Sequence, residues 1–299
     1  KKLIEFASVK EKKLEWYDIG NYKNYSATIK KYENFNFRKT NEFIYIDKNN
    51  ITKFINSKIK IKKLITRTKK IKLFPKIIKF KKQFIQYKFI PGEIFYNLVN
   101  EKNFKKLLYF LSTKLWIINK SKNIKKLCKK FYHTKTLKRI KLFLDKYNYK
   151  KDLNIRINGT LVPSIDELIT KVPWQKIYKG ISSKIHGDLQ FDNIIFDKKN
   201  FFLIDWREDF GGNLNYGDLY YDLAKMYGGI EMNYDIIKKG KFSYVEKKNG
   251  IFYKFDSRKN LINDVKKEYK KFLSLKKLSL EKIEILKCLI YINMSPLHE

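Results

Sequence analysis

The chain divides by the spacing of its apolar residues. Residues 35–56 carry three short runs, FNFRK, EFIYID and ITKFIN, rich in aromatic and β-branched side chains, which predict strands. A helix is expected over about 57–73, followed by a strand pair, PKIIKF and QFIQYKFI, that ends at Pro91-Gly92-Glu93. Gly92 gives the chain freedom to turn there, so this point reads as a hinge. From 93 to 180 the apolar positions recur three and four apart, as in EIFYNLVNEKNFKKLLYFLSTKLWII and TLKRIKLFLDKY, and predict helices broken by a loop at 158–163 and by Pro173-Trp174. Residues 194–196 and 202–204 are apolar on either side of the polar cluster DKKN, the pattern of a hairpin. An apolar helix opens at Asp222, a hairpin insert spans 234–257, and two helices occupy about 258–299. The expected class is α+β, with a β-rich part over 34–91 and a helical part over 92–299.

The hairpin is where chemistry concentrates. It is preceded by His186-Gly187-Asp188, with Asn193 five residues after the aspartate and Asp205 at the end of the second strand. A register centred on Lys199 sets Asn193 opposite Asp205, with Cβ atoms about 5 Å apart. One amide oxygen beside one carboxylate suits Mg²⁺, which takes few protein oxygens and fills its shell with water and phosphate. The order of an aspartate, an asparagine five later and a second aspartate is that of a kinase catalytic loop. Starting on His-Gly-Asp, and with Trp206 after the last aspartate, it resembles the aminoglycoside phosphotransferase and choline kinase group of small-molecule kinases. The later Gly217-Asp218-Leu219-Tyr220-Tyr221-Asp222-Leu223-Ala224 resembles that group's Gly-Asp…Asp-Leu-Ala segment. Asp209-Phe210-Gly211 spells the protein-kinase metal triplet but lies four residues beyond the strand end and is set aside.

The resemblance implies a two-lobed, protein-kinase-like fold that uses ATP and Mg²⁺. Asp188 becomes the catalytic base, and Asn193 and Asp205 the metal ligands. Lys53, on the third strand, becomes the grip on the α- and β-phosphates. The backbone of Tyr87, Lys88 and Phe89 becomes the adenine contact, with Ile51 and Phe54 flanking the ring. His186 and Asp222 brace the loop. Tyr220, Tyr227, Glu231 and Tyr234 are candidates for the acceptor pocket. Two departures stand out. No glycine occurs between Asn21 and Pro91, so the turn Arg38-Lys39-Thr40-Asn41 has to cover the phosphates. No acidic residue occurs from Ile51 to Gly92, so the lysine's usual helix glutamate is missing and Glu42 is the substitute at hand.

Composition changes the picture in one respect. The formal charge of +37 invites a polyanion-binding reading, but lysine is spread over every segment and greatly outnumbers arginine. Nucleic acid is therefore not the expected partner; a small-molecule acceptor, a sugar or an amino alcohol, is. No apolar run approaches the ~20 residues of a membrane span. Cys128 and Cys288 are the only cysteines, both expected as buried thiols, consistent with a cytoplasmic protein.

Residues 1–33 differ from the rest. Glu15-Trp16-Tyr17-Asp18-Ile19-Gly20 is similar to the closing segment of sugar nucleotidyltransferases, and the chain begins on Lys, so an upstream nucleotidyltransferase domain is expected. That tilts the acceptor toward a sugar or sugar derivative for a surface-polysaccharide precursor. The alternatives are a choline- or ethanolamine-type kinase and a non-catalytic kinase fold used as a binding module.

Overall fold

In a computed structural model of the chain, residues 35–39, 42–47, 49–232, 240–248, 250–255 and 259–297 are described. Residues 1–33, Thr40, Asn41 and Tyr234 lie outside them. Strands β1 (Phe35–Lys39), β2 (Glu42–Ile46) and β3 (Asn50–Ile55) form where the β-rich runs place them. Burial along β3 alternates, with Ile51, Lys53 and Ile55 buried on one face. Helix α1 (Lys58–Lys70) starts where the Ser57 hydroxyl accepts from the Lys60 N–H at 3.2 Å, and buries Ile61, Leu64 and Arg67 along one side. Strands β4 (Ile77–Lys81) and β5 (Phe84–Lys88) complete an antiparallel sheet in the order β1-β2-β3-β5-β4. The same alternation corrects one expectation. Phe54 lies on the face opposite Ile51, against Phe43 and Phe84 with ring centroids at 5.5 and 5.1 Å, and cannot flank a ring together with it.

The rest of the chain is mostly helical. After β6 (Glu93–Ile94) come α2 (Glu101–Phe110) and α3 (Lys135–Tyr147). The segment 158–163, expected as a loop, instead belongs to a hairpin of β7 (Ile155–Ile157) and β8 (Thr160–Val162) turning at Asn158-Gly159. Strands of three residues are too short for alternation to reveal, although Asn-Gly is the usual signal of a two-residue turn. Next come β9 (Ile194–Phe196), β10 (Phe201–Leu203) and α4 (Leu219–Glu231). Then β11 (Phe242–Lys247) and β12 (Gly250–Phe255) form the expected hairpin, which joins β7 and β8 in a four-stranded sheet. Helices α5 (Lys259–Leu275) and α6 (Leu280–Met294) follow. The fold is mixed α+β, β-rich in its N-terminal region and helical in its C-terminal region, as the patterning predicts. No helix among the described residues is long and apolar enough to cross a membrane.

Two packing features fix the site. Phe95, Phe104 and Phe191 are fully buried, and Phe95 meets Phe191 and Phe201 edge-on at 5.1 and 5.7 Å. This aromatic floor lies directly beneath the β9–β10 hairpin. Second, β6 pairs with β9, Ile94 opposite Ile195 and Glu93 opposite Phe196, so the hinge is pinned to the hairpin's edge. Gly92 makes the approach possible: its φ is +141°, and a Cβ there would lie 2.7 Å from Ile195 Cγ2 and 3.1 Å from the Phe196 carbonyl oxygen. Gly92→Ala is expected to cost about 1–3 kcal/mol, read as a lower urea midpoint with an unchanged slope.

Both thiols are free, but only Cys128 is buried. Cys288 is exposed, contrary to expectation: α6 turns Leu286, Leu289 and Ile290 inward and leaves position 288 outside.

Candidate active site

The loop carrying His186-Gly187-Asp188 is held by one buried carboxylate. Asp222, in the first turn of α4, accepts from the His186 N–H at 2.8 Å and the Gly187 N–H at 2.7 Å. It also accepts from the Trp116 indole N–H at 3.1 Å. Burial pushes its carboxyl up to about 6, against the pull of these donors. His186 is fully buried. Its Nε2 lies 2.8 Å from the Ile204 carbonyl oxygen, and its Nδ1 accepts from the Asp188 N–H at 3.2 Å. A carbonyl only accepts and an amide N–H only donates, so the proton is assigned to Nε2. Burial lowers the imidazole to about 4, which keeps it a neutral brace tying the loop to the end of β10. Gly187 has φ +85°, and a Cβ would come within 2.7 Å of Arg207 Cβ. This is why the triplet has glycine at its centre.

Asp188 points into a cavity of about 570 Å³. Its Oδ1 is 2.8 Å from Lys225 Nζ, on α4. Burial alone would raise the Asp188 carboxyl, but Lys225 and then Arg207 outweigh it and hold the group below the ordinary aspartate range. Asn193 closes a short 3₁₀ turn and donates its amide N–H to the Asp188 carbonyl at 2.8 Å. That bond orients the side chain and leaves the amide oxygen as the atom able to face a cation.

The hairpin register differs from the expected one. Ile194 pairs with Leu203 and Phe196 with Phe201, so the axis falls between Lys198 and Lys199 and not on Lys199. Asn193 therefore stands opposite Ile204, whose N–H donates to the Asn193 carbonyl at 2.9 Å. Asp205 comes one residue later, with φ +53°. Asn193 and Asp205 therefore stand one position out of register across the hairpin. Two hard oxygen donors, with the Asp205 side chain 40% exposed to receive a ligand, match what Mg²⁺ needs from a protein when phosphates complete its shell.

Lys53 reaches Asp205 from the sheet. Its Nζ is 2.5 Å from Asp205 Oδ1 and 3.3 Å from Glu42 Oε2. Burial would lower this ammonium, but Asp205 and then Glu42 raise it above the ordinary lysine range. Glu42 fills the role of the missing helix glutamate from β2: Ile44 pairs with Lys53, which puts Glu42 on the diagonal of the same face. Tyr87, paired with Ile51, is also buried on that face, where burial raises its hydroxyl to about 12. Phe89 spends its N–H on the Asn49 carbonyl at 2.8 Å, so of its backbone groups only the carbonyl remains for a ligand. Lys88 pairs with Asn50 at the end of the ladder. Asp209, of the discarded triplet, is tied to Lys63 at 2.6 Å and to the Gly212 N–H at 2.9 Å.

Three cations escape a reading of the sequence because lysine and arginine carry no contrast in so basic a chain. Arg67, buried on α1, donates to the carbonyls of Ile185 and Arg207, each at 2.5 Å, and to that of His186 at 3.3 Å. Arg207 donates to the Gly187 carbonyl at 2.9 Å and the Tyr221 hydroxyl at 3.2 Å. Lys225 is the third. The acceptor candidates also move. On α4, Tyr221 and Lys225 face the loop, whereas Tyr220 and Tyr227 are buried on other sides and Glu231 pairs with Lys266 and Lys287. Tyr220 accepts from the Ser279 N–H instead of lining the cavity.

Residues 179–240 match the phosphotransferase enzyme family, APH. The match spans the loop, the hairpin and the Gly-Asp…Asp-Leu-Ala segment. The resemblance to small-molecule kinases holds. Sequence comparison with curated proteins gives no match. Among solved structures, an aminoglycoside-3'-phosphotransferase of type VIII has the same kinase-like fold, with TM-score 0.50 and 12% identity over 90% of this chain and 97% of that one. An ethanolamine kinase from Plasmodium vivax is similar at TM-score 0.46 and 13% identity, over 98% of this chain and 79% of that one. The streptomycin–ATP ternary complex of APH(2")-IIa is similar at TM-score 0.40 and 17% identity, over 68% of this chain and 74% of that one.

Proposed function

We propose that the chain is an ATP-dependent phosphotransferase that phosphorylates a hydroxyl of a small molecule in the cytoplasm, with residues 34–91 and 92–299 as its two lobes. The observation that carries the reading is the convergence of Lys53, Asp188 and Asp205 on one cleft, with Asn193 hydrogen-bonded to the Asp188 backbone behind it. Glu42 beside Lys53 supplies the carboxylate that the helix lacks, which supports a catalytic over a non-catalytic fold.

In this reading Lys53 steadies the α- and β-phosphates and Glu42 keeps it aimed. The backbone of Tyr87, Lys88 and Phe89 runs along the edge that takes the adenine. Asn193 and Asp205 would hold Mg²⁺, which would supply charge neutralisation at the phosphates. Asp188 orients the acceptor hydroxyl and takes its proton as the oxygen forms a bond to the γ-phosphorus and the bond to ADP breaks. Positioning and charge neutralisation supply most of the rate. Held below its usual range, the Asp188 carboxyl stays ionised across neutral pH.

A sugar or sugar derivative is the proposed acceptor class. Support comes from the nucleotidyltransferase-like Trp16–Gly20 segment, since phosphorylation followed by nucleotidyl transfer yields an activated sugar. The nucleotide half of the reading is tested by thermal shift. MgATP at a hundredfold its Kd is expected to raise Tm by on the order of 5 °C. Asp205→Asn is expected to abolish the Mg²⁺-dependent part and keep the fold. A folded wild-type protein with no response to MgATP refutes the proposal.

A further inference from the structure

We infer that the acceptor is an anion: a hydroxyl-bearing small molecule that also carries a phosphate or carboxylate group. The inference rests on the phosphotransferase reading and specifies the substrate class of the same cleft.

The ground is the composition of the cavity into which Asp188 points. Lys225 and Arg207 approach from α4 and the segment after β10, and Lys130, Lys135 and Arg139 from the start of α3 and the turn before it. Lys135 Nζ stands 4.3 Å from the centroid of the Phe131 ring, and the Arg207 guanidinium carbon 5.4 Å from the same centroid. The two cations thus share one ring. Among the described residues, no carboxylate forms an ion pair with Lys130, Lys135, Arg139 or Arg207.

The carboxylates on the wall are otherwise engaged. Glu42 is held by Lys53 and Lys60, Asp205 by Lys53, Asp209 by Lys63 and Asp188 by Lys225. Only Glu208 lines the cavity without an ion pair among the described residues. A choline, an amino alcohol or an amino sugar would bring a positive charge into this cluster with one carboxylate to meet it. An anion relieves the crowding. Burial first, then Arg207, Arg139 and Lys225, press the Lys135 ammonium down to about 7, with Glu208 opposing. Leu286, Leu289 and Ile290 of α6 wall the remaining side and give a carbon skeleton something to rest on. The general lysine richness of the chain does not account for this, because Lys225 is buried and Lys135 is half-buried over the Phe131 ring, unlike a solvated surface lysine.

The test uses two matched series on the full chain saturated with MgADP. One is glucose, glucose 6-phosphate, glucuronate and glucosamine; the other is glycerol, glycerol 3-phosphate, glycerate and serinol. Dissociation constants are measured by calorimetry. In at least one series an anionic member is expected to bind tenfold or more tighter than its neutral and amino partners, and whether phosphate or carboxylate wins identifies the group. That preference is expected to shrink tenfold in Lys135→Ala and in Arg139→Ala, and to weaken in the wild type as pH rises from about 6 to about 8, where Lys135 loses its proton. Equal affinities across both series, tighter binding of an amino member, no binding by any anionic member, or a preference untouched by both substitutions overturns the inference. MgADP binding is read first. Its absence defeats the phosphotransferase reading and this inference with it, whereas MgADP binding without anion preference defeats this inference alone.

Discussion

Asp188→Asn is expected to lower kcat by about a thousandfold while leaving MgATP binding within a few-fold of wild type. A positioned general base contributes about 10²–10⁴ in rate, and the amide keeps the shape of the side chain but cannot take a proton. The measurement is ADP release with whichever acceptor the binding series selects. Here the loss has a second component. Lys225 is buried and ion-paired to Asp188, so removing the negative charge strands an ammonium with 7% of its side chain exposed. Such a charge costs stability or sheds its proton. The variant is therefore also expected to have a lower Tm, by several degrees. Lys225→Met with Asp188→Asn is expected to restore Tm without restoring kcat, which separates the chemical role of the carboxylate from its role as a counter-ion. Restored turnover in that double variant, or a kcat within tenfold of wild type in the single one, would remove Asp188 from the chemistry.

The second large effect concerns stability. Asp222→Ala deletes an acceptor that satisfies two backbone N–H groups and one indole N–H, all buried. Each stranded donor costs about 1–3 kcal/mol, so a total loss on the order of 5 kcal/mol is expected. That is a large fraction of a typical domain's stability. Asp222→Asn keeps one acceptor oxygen and is expected to fall midway, folded at 25 °C but with the His186-Gly187-Asp188 loop displaced. Urea midpoints measure the first effect. Amide exchange at Gly187 measures the second, with faster exchange in the asparagine variant. An alanine variant as stable as wild type would mean that water replaces the carboxylate and that the loop is self-supporting.

The candidate site was legible in the sequence to the extent that it depends on local order. Asp188, Asn193 and Asp205 carry their meaning in their spacing, and the strands of the sheet carry theirs in runs of aromatic and β-branched residues. The register was misjudged by one residue for a physical reason. Asp197 caps its own turn, its carboxylate accepting from the N–H groups of Lys199 and Asn200 at 2.8 and 2.6 Å, and Lys198 takes φ +77°. Four residues between the strands put the axis between two side chains, which the outline of the apolar runs does not show. Glu42 could be found because its partner lies on a neighbouring strand. Arg67, Arg207 and Lys225 could not. Their partners are carbonyls, a tyrosine and a carboxylate brought near only by the fold, and in a chain with 67 lysines and arginines no single cation stands out. Which side of α4 faces the loop does not show in the sequence, because nearly every residue of that helix is buried, so hydrophobicity marks no preferred side.

Arg67 has a mechanical consequence. Its guanidinium joins α1 to the carbonyls of Ile185, His186 and Arg207, and the Trp206 indole N–H returns a bond to the Leu64 carbonyl at 3.4 Å. Although α1 lies between two strands of the sheet in sequence, it is hydrogen-bonded to the segments that carry the catalytic loop. Swinging it outward would break these bonds around a buried charge, a penalty on the order of 5 kcal/mol. Helix α1 is therefore expected to stay with the catalytic loop whenever the cleft opens.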